Sequence, residues 1–138
     1  MSSIEERIQK WIEAGDETAV LDLSCSNVKE LPELPVNLQI LNCGCCYELE
    51  KLPELPKSLQ ILYCFNCYKL DKIPELPESL QELHCHHCFN IDYLPKLPPN
   101  LKSLICYKCY YLKELPELSV NLLKLDCSYC KQLKELPE

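Results

Sequence analysis

The chain has 138 residues, a net charge of −7 and an ordinary share of apolar residues, 47%. That is one domain able to bury a core, with an acidic surface that argues against a nucleic-acid backbone as partner. Twelve Cys, eleven Pro and only two Gly are the abnormal counts. No GxGxxG or GxxxxGK occurs, which excludes the glycine-built nucleotide cradles. No apolar run is long enough to span a bilayer.

At the N-terminus, Ile4, Ile8, Trp11 and Ile12 recur at helical spacing. Ser2 or Ser3 can cap that helix, and Gly15 and Asp16 sit where it should stop. The opening MSSIEERIQKW has no apolar stretch of the kind a secretory signal carries, so none is expected there. Residues 1–17 are therefore read as a capping helix.

From residue 18 the sequence repeats. Cys43, Cys64, Cys85, Cys106 and Cys127 are 21 residues apart, and Cys46, Cys67, Cys88, Cys109 and Cys130 follow the same period. Leu41, Leu62, Leu83, Leu104 and Leu125 share it, as do Pro53, Pro74, Pro95, Pro116 and Pro137. A fixed period of this size marks a solenoid. In L-x-x-L-x-C apolar residues alternate, as in a half-buried strand. LPELP cannot be helical, because proline fixes φ, lacks an N–H and pushes its predecessor extended. Each repeat is thus one strand of a parallel sheet and one extended, polyproline-like return leg. In the first repeat Leu31-Pro32 arrives one residue early, which puts Leu23 in the first Cys slot and Ser26 in the second.

The unit L-x-x-L-x-C-x-x-C resembles the leucine-rich repeat motif, with Cys in the last-Leu slot and in the Asn/Cys slot. That resemblance covers residues 18–138, and together with the helix ahead of them LDLS and LPELP are similar to the amino-terminal cap and repeat domain of the LPx-type bacterial invasion-plasmid-antigen effectors. Cysteine-bearing LPELP units also resemble leucine-rich repeats of giant amoebal viruses and amoeba-associated bacteria. The resemblance implies a right-handed solenoid of about six repeats, with the sheet on the concave face. It implies a protein-binding scaffold in the cytoplasm, a host cytoplasm if the chain is viral or a secreted effector.

Reading outward-facing sheet positions under that resemblance gives candidate partner-binding residues Tyr63, Phe65, His84, His86, Ile105, Tyr107, Lys108 and Tyr129. Exposed aromatics on a rigid sheet are the usual material of binding hot spots. His84 and His86 lie two apart on one strand, so both face the same side; they could chelate adventitious metal or make binding pH-dependent.

The cysteines have two readings. In one, both columns face the core as reduced thiols, packing as small hydrophobes and donating weakly to backbone carbonyls; no cofactor is then needed. In the alternative, the C-x-x-C pairs Cys43/Cys46, Cys64/Cys67, Cys85/Cys88, Cys106/Cys109 and Cys127/Cys130 hold zinc or an iron–sulfur cluster for storage or electron transfer. Burying thiolate charge in an apolar interior weighs against the alternative. Cys25 and Cys45 belong to neither column and should face out side by side. Catalysis is not expected: in His84-Cys85-His86-His87-Cys88 the cysteines should point inward while His84 and His86 point out. The sequence ends at Lys134-Glu135-Leu136-Pro137-Glu138 in mid-repeat, which leaves three readings: two copies pair as a homodimer through that end, the natural chain is longer, or the charged tail of Lys131, Lys134, Glu135 and Glu138 caps it. No membrane or nucleic-acid partner is expected.

Overall fold

The computed structural model describes residues 2–136; Pro137 and Glu138 of the expected pairing end lie outside them. Helix α1 spans Ile4–Ala14. Ser3 caps its start, accepting from the Glu6 N–H, and Gly15 ends it in the left-handed conformation at φ 70°. Ile4 and Trp11 are buried and Ile8 is half-buried. Ile12, expected on the same face, is 50% exposed. It lies one residue past Trp11, about 100° around the helix, beyond the stripe that meets the sheet. The Trp11 indole N–H donates to the Ala19 carbonyl at 3.0 Å, fastening the helix to the first repeat.

Six three-residue strands follow: β1 Val20–Asp22, β2 Ile40–Asn42, β3 Ile61–Tyr63, β4 Glu82–His84, β5 Ser103–Ile105 and β6 Lys124–Asp126. They form one parallel sheet in sequence order. The register is that of the repeat: Leu41 faces Leu62, which faces Leu83, which faces Leu104. The first pair is offset by 20, Leu21 against Leu41, as the shortened first repeat requires. The central leucine of each of the first five strands is fully buried, and Leu125 of β6 is half-buried.

The return legs carry no regular secondary structure. Their leucines, such as Leu52 and Leu55, turn inward at a spacing of three and close the core opposite the sheet. A hydroxyl staircase ties successive turns: Ser58 Oγ lies 2.7 Å from the Leu38 carbonyl oxygen, and Ser79 Oγ 2.6 Å from that of Leu59.

Both cysteine columns face the interior. Cys43, Cys46, Cys64, Cys67, Cys85, Cys88, Cys106 and Cys109 are fully buried, Cys130 is buried and Cys127 half-buried. Leu23 and Ser26 occupy the same two slots in the first repeat and are buried. The second-column thiols donate backwards along the stack. Cys46 Sγ reaches the Leu23 carbonyl at 3.4 Å, Cys67 that of Cys43 at 3.3 Å, and Cys88 that of Cys64 at 3.0 Å. Cys109 and Cys130 continue to Cys85 and Cys106, each at 3.2 Å. Ser26, with no repeat before it, donates within its own turn to the same Leu23 carbonyl at 2.8 Å.

This ladder sets an ordering of substitutions. Cys67→Ala removes both volume and the donor to a buried carbonyl, and should cost about 1–3 kcal/mol. Cys67→Ser keeps a donor and should be milder by about 1 kcal/mol. Urea unfolding of the two variants measures the difference; equal losses would mean the bond contributes nothing.

Candidate functional site

Each repeat leaves the sheet through a residue in the left-handed conformation. Cys25, Cys45, Asn66, His87, Lys108 and Tyr129 all have φ between 55° and 59°. Asn and His are enriched in that region among non-glycine residues; Cys, Lys and Tyr adopt it at more cost. The turn is held by bonds to the next repeat, such as Cys45 N–H to the Phe65 carbonyl at 2.9 Å and His87 N–H to that of Tyr107 at 3.0 Å. It also alternates the side chains: the residue before the turn faces out, and the residue after it is the inward second-column cysteine.

Outward positions therefore stack in columns at the spacing of the sheet. In one, Phe65, His86 and Tyr107 lie face to face, with centroids 4.9 and 4.5 Å apart and ring planes within 9° of parallel. Gly44 begins this column. A Cβ there would stand 2.6 Å from the Phe65 ring, so glycine leaves the space the ring uses. In the neighbouring column Tyr63 packs on His84 at 4.7 Å, and the His84 Nε2 lies 3.1 Å from Glu82. Lys108 sits over the exposed Tyr129 ring.

Of the eight expected binding residues, seven are outward and at least partly exposed. Ile105 is the correction: it is 7% exposed and belongs to the buried set. A short branched side chain flanked in register by His84 and Asp126 has little room to reach solvent.

The structure holds a second aromatic column that the sequence reading does not include. Tyr47, Tyr68, Phe89 and Tyr110 stack at 5.0, 4.9 and 5.0 Å, and Lys131 lies over the last ring at 4.7 Å. The signal was available in the sequence, since these residues also recur every 21 positions, each directly after a second-column cysteine.

His86 and His87 are held below the ordinary histidine range. For His86 the cause is burial, then the neighbouring His87 and His84; for His87 it is burial, then Lys108. The inner thiols are pushed the other way. Burial raises Cys43, Cys46 and Cys67, while the Cys88 thiol and then burial raise Cys64. Cys109 and burial do the same for Cys85. At the last pair their mutual hydrogen bond raises Cys106 and lowers Cys130.

All twelve cysteines are free. The thiol that most raises Cys64 is Cys88, and the one that most raises Cys85 is Cys109, each from the next repeat rather than from the same C-x-x-C. Among the described residues, no three His, Cys, Asp or Glu side chains come together as a metal ion would need. In His84-Cys85-His86-His87-Cys88 both sulfurs are buried while the imidazoles lie on the outer face. Among the described residues no helix is long and apolar enough to cross a membrane.

A helix-capped solenoid with one parallel strand per 21-residue turn is a leucine-rich repeat fold. Among solved structures the chain is similar to YopM from Yersinia enterocolitica WA-314, at 28% identity and a TM-score of 0.63. The match covers 89% of this chain, which spans 31% of that one. No protein-family model matches the sequence, and no curated protein does.

Two measurements follow from the site. An aromatic-disulfide thiol reagent at neutral pH should label Cys25 and Cys45 first, Cys127 and Cys130 more slowly, and the remaining eight only on unfolding; mass mapping reads the order. Because the folded pKa of His86 lies below its unfolded value, the unfolded chain binds more protons in acid. The contribution of His86 to stability is therefore complete above pH 6.5, the ordinary histidine value, and declines as pH falls below it. His86→Phe should flatten that part of the stability–pH curve, measured by urea unfolding at a series of pH values.

Proposed function

We propose that the chain is a protein-interaction scaffold whose partner docks on the outward face of the sheet, the concave face of the repeat. The observation that carries the reading is the preassembled aromatic surface. Phe65, His86 and Tyr107 form one stack, with Tyr63 and His84 alongside and Lys108 and Tyr129 at the end. Stacking fixes these rings before a partner arrives, so little side-chain entropy is lost on binding. Large rigid side chains of this kind dominate interface energetics. Glu82, a carboxylate beside this surface, lies within hydrogen-bond distance of His84 at 3.1 Å. The fold similarity to a leucine-rich repeat structure supports the same reading.

Site-specific photo-crosslinking in extract of the source cells tests it. A benzophenone amino acid at Tyr107 or Tyr129 should give one and the same discrete adduct, competed away by excess unmodified chain. Placed at Glu75, on a return leg, it should give none. An adduct formed from Glu75 alone would move the interface to the other face. Once the partner is in hand, Tyr107→Ala should weaken binding by about 2 kcal/mol, roughly thirty-fold, with Glu75→Ala neutral.

A further inference from the structure

Cys25 and Cys45 stand apart from the other ten thiols. Cys25 is exposed and Cys45 half-exposed, and neither belongs to an inward column. They hold the same turn position in adjacent repeats, at φ 58° and 57°. The Cys25 N–H bonds to the Gly44 carbonyl at 3.0 Å, which places the two residues in register as neighbours in the ladder. Both line one shallow cavity of about 200 Å³, with Ser26, Asn27, Tyr47 and Glu48.

In-register neighbours stand about 4.8 Å apart with parallel Cα–Cβ bonds. That separation is wide for a disulfide, whose Cβ atoms prefer about 3.8 Å. It is close to twice a metal–thiolate bond of about 2.3 Å, so one ion can bridge the two sulfurs nearly in line. We propose that Cys25 and Cys45 form a two-thiolate site for a soft monovalent cation of the Cu(I) class. Thiolate sulfur selects such an ion, and two ligands satisfy it where zinc would require four.

The surroundings suit the product. Binding exchanges two thiol protons for one cation and leaves a bis-thiolate complex of charge −1. The Asn66 side-chain amide already donates to the Cys45 sulfur at 3.8 Å, and Tyr47 lies beside it. The Arg7 guanidinium is fastened to the Ser24 carbonyl at 2.9 Å, next to Cys25 in the chain. The nearest carboxylate in the cavity, Glu48, is paired with Lys69 at 2.6 Å.

The test is anaerobic titration of the reduced full chain with Cu(I) presented as its bicinchoninate complex, read by chelator absorbance and native mass spectrometry. One Cu(I) per chain should transfer, with the circular dichroism of the fold unchanged. Cys25→Ser and Cys45→Asn, the latter keeping a residue that accepts the left-handed turn, should each weaken uptake at least ten-fold, and Cys127→Ser should not. The idea is overturned if no Cu(I) leaves the chelator. It is equally overturned if uptake survives in the Cys25→Ser/Cys45→Asn double variant, or if several ions bind while the folded signal is lost, which would put the metal in the core columns.

Discussion

The structure depends on satisfying one carbonyl per turn. The carbonyl of the first inward slot, one residue past each strand, is met in the buried interior by a side-chain donor. An unpaired buried carbonyl costs on the order of 1–3 kcal/mol, and a solenoid repeats the problem at every turn. The donor that answers it must be small, inward and two or three bonds from the backbone. Ser26 answers it with a hydroxyl in the first repeat, and Cys46, Cys67, Cys88, Cys109 and Cys130 answer it with thiols that reach one repeat back. Cysteine adds what serine lacks: its body packs as a hydrophobe against the leucine column. The ladder therefore locks each repeat to its predecessor through hydrogen bonding and volume together, and the period of 21 cannot slip without breaking both.

With the interior fixed in this way, outward positions are free to vary in chemistry while remaining fixed in place. Side chains one repeat apart must stack, because the sheet places them at its own spacing. The aromatic columns use that constraint: parallel rings about 5 Å apart contribute roughly 0.5–1.5 kcal/mol per pair beyond their buried area. Some of this offsets the backbone cost of placing His87, Lys108 and Tyr129 in the left-handed region. The same stacking that stabilises the solenoid preorganises its outer surface, so stability and recognition draw on the same rings.

Much of the fold was legible because the chain can be compared with itself. Positions identical in every repeat, such as Leu41, Leu62 and Leu83, are the ones geometry forces inward, and the period alone identified them. The one-residue deletion in the first repeat even placed Leu23 and Ser26 in their slots. The outward face was harder to read, because its residues differ from repeat to repeat and their exposure depends on neighbours in other turns. Ile105 looked like an exposed anchor and is covered, since flanking side chains set its accessibility and the strand alternation does not. Ile12 failed for a related reason: helical spacing gives a stripe but not its width, and the sheet meets only Ile4, Ile8 and Trp11. The Tyr47–Tyr110 column lay one residue past the segment taken to be the face, although its own period was plain.

The adjacent pair Cys45 and Cys46 shows how finely position governs chemistry. Cys45 takes the left-handed turn and is half-exposed; Cys46, one residue later, is fully buried and donates to a carbonyl of the preceding repeat. Burial pushes the Cys46 thiol up, away from the thiolate that reacts or ligates. A count of twelve cysteines thus joins two unlike populations. The inward ten fill the volume that every turn leaves, and the five of the second column also supply its hydrogen-bond donor. Cys25 and Cys45 meet no such demand, since Asn66, His87, Lys108 and Tyr129 fill the same turn position in later repeats. Thiol chemistry at those two sites is therefore a property of the side chains themselves, and they are where reactivity or ligation can be gained without disturbing the ladder beneath.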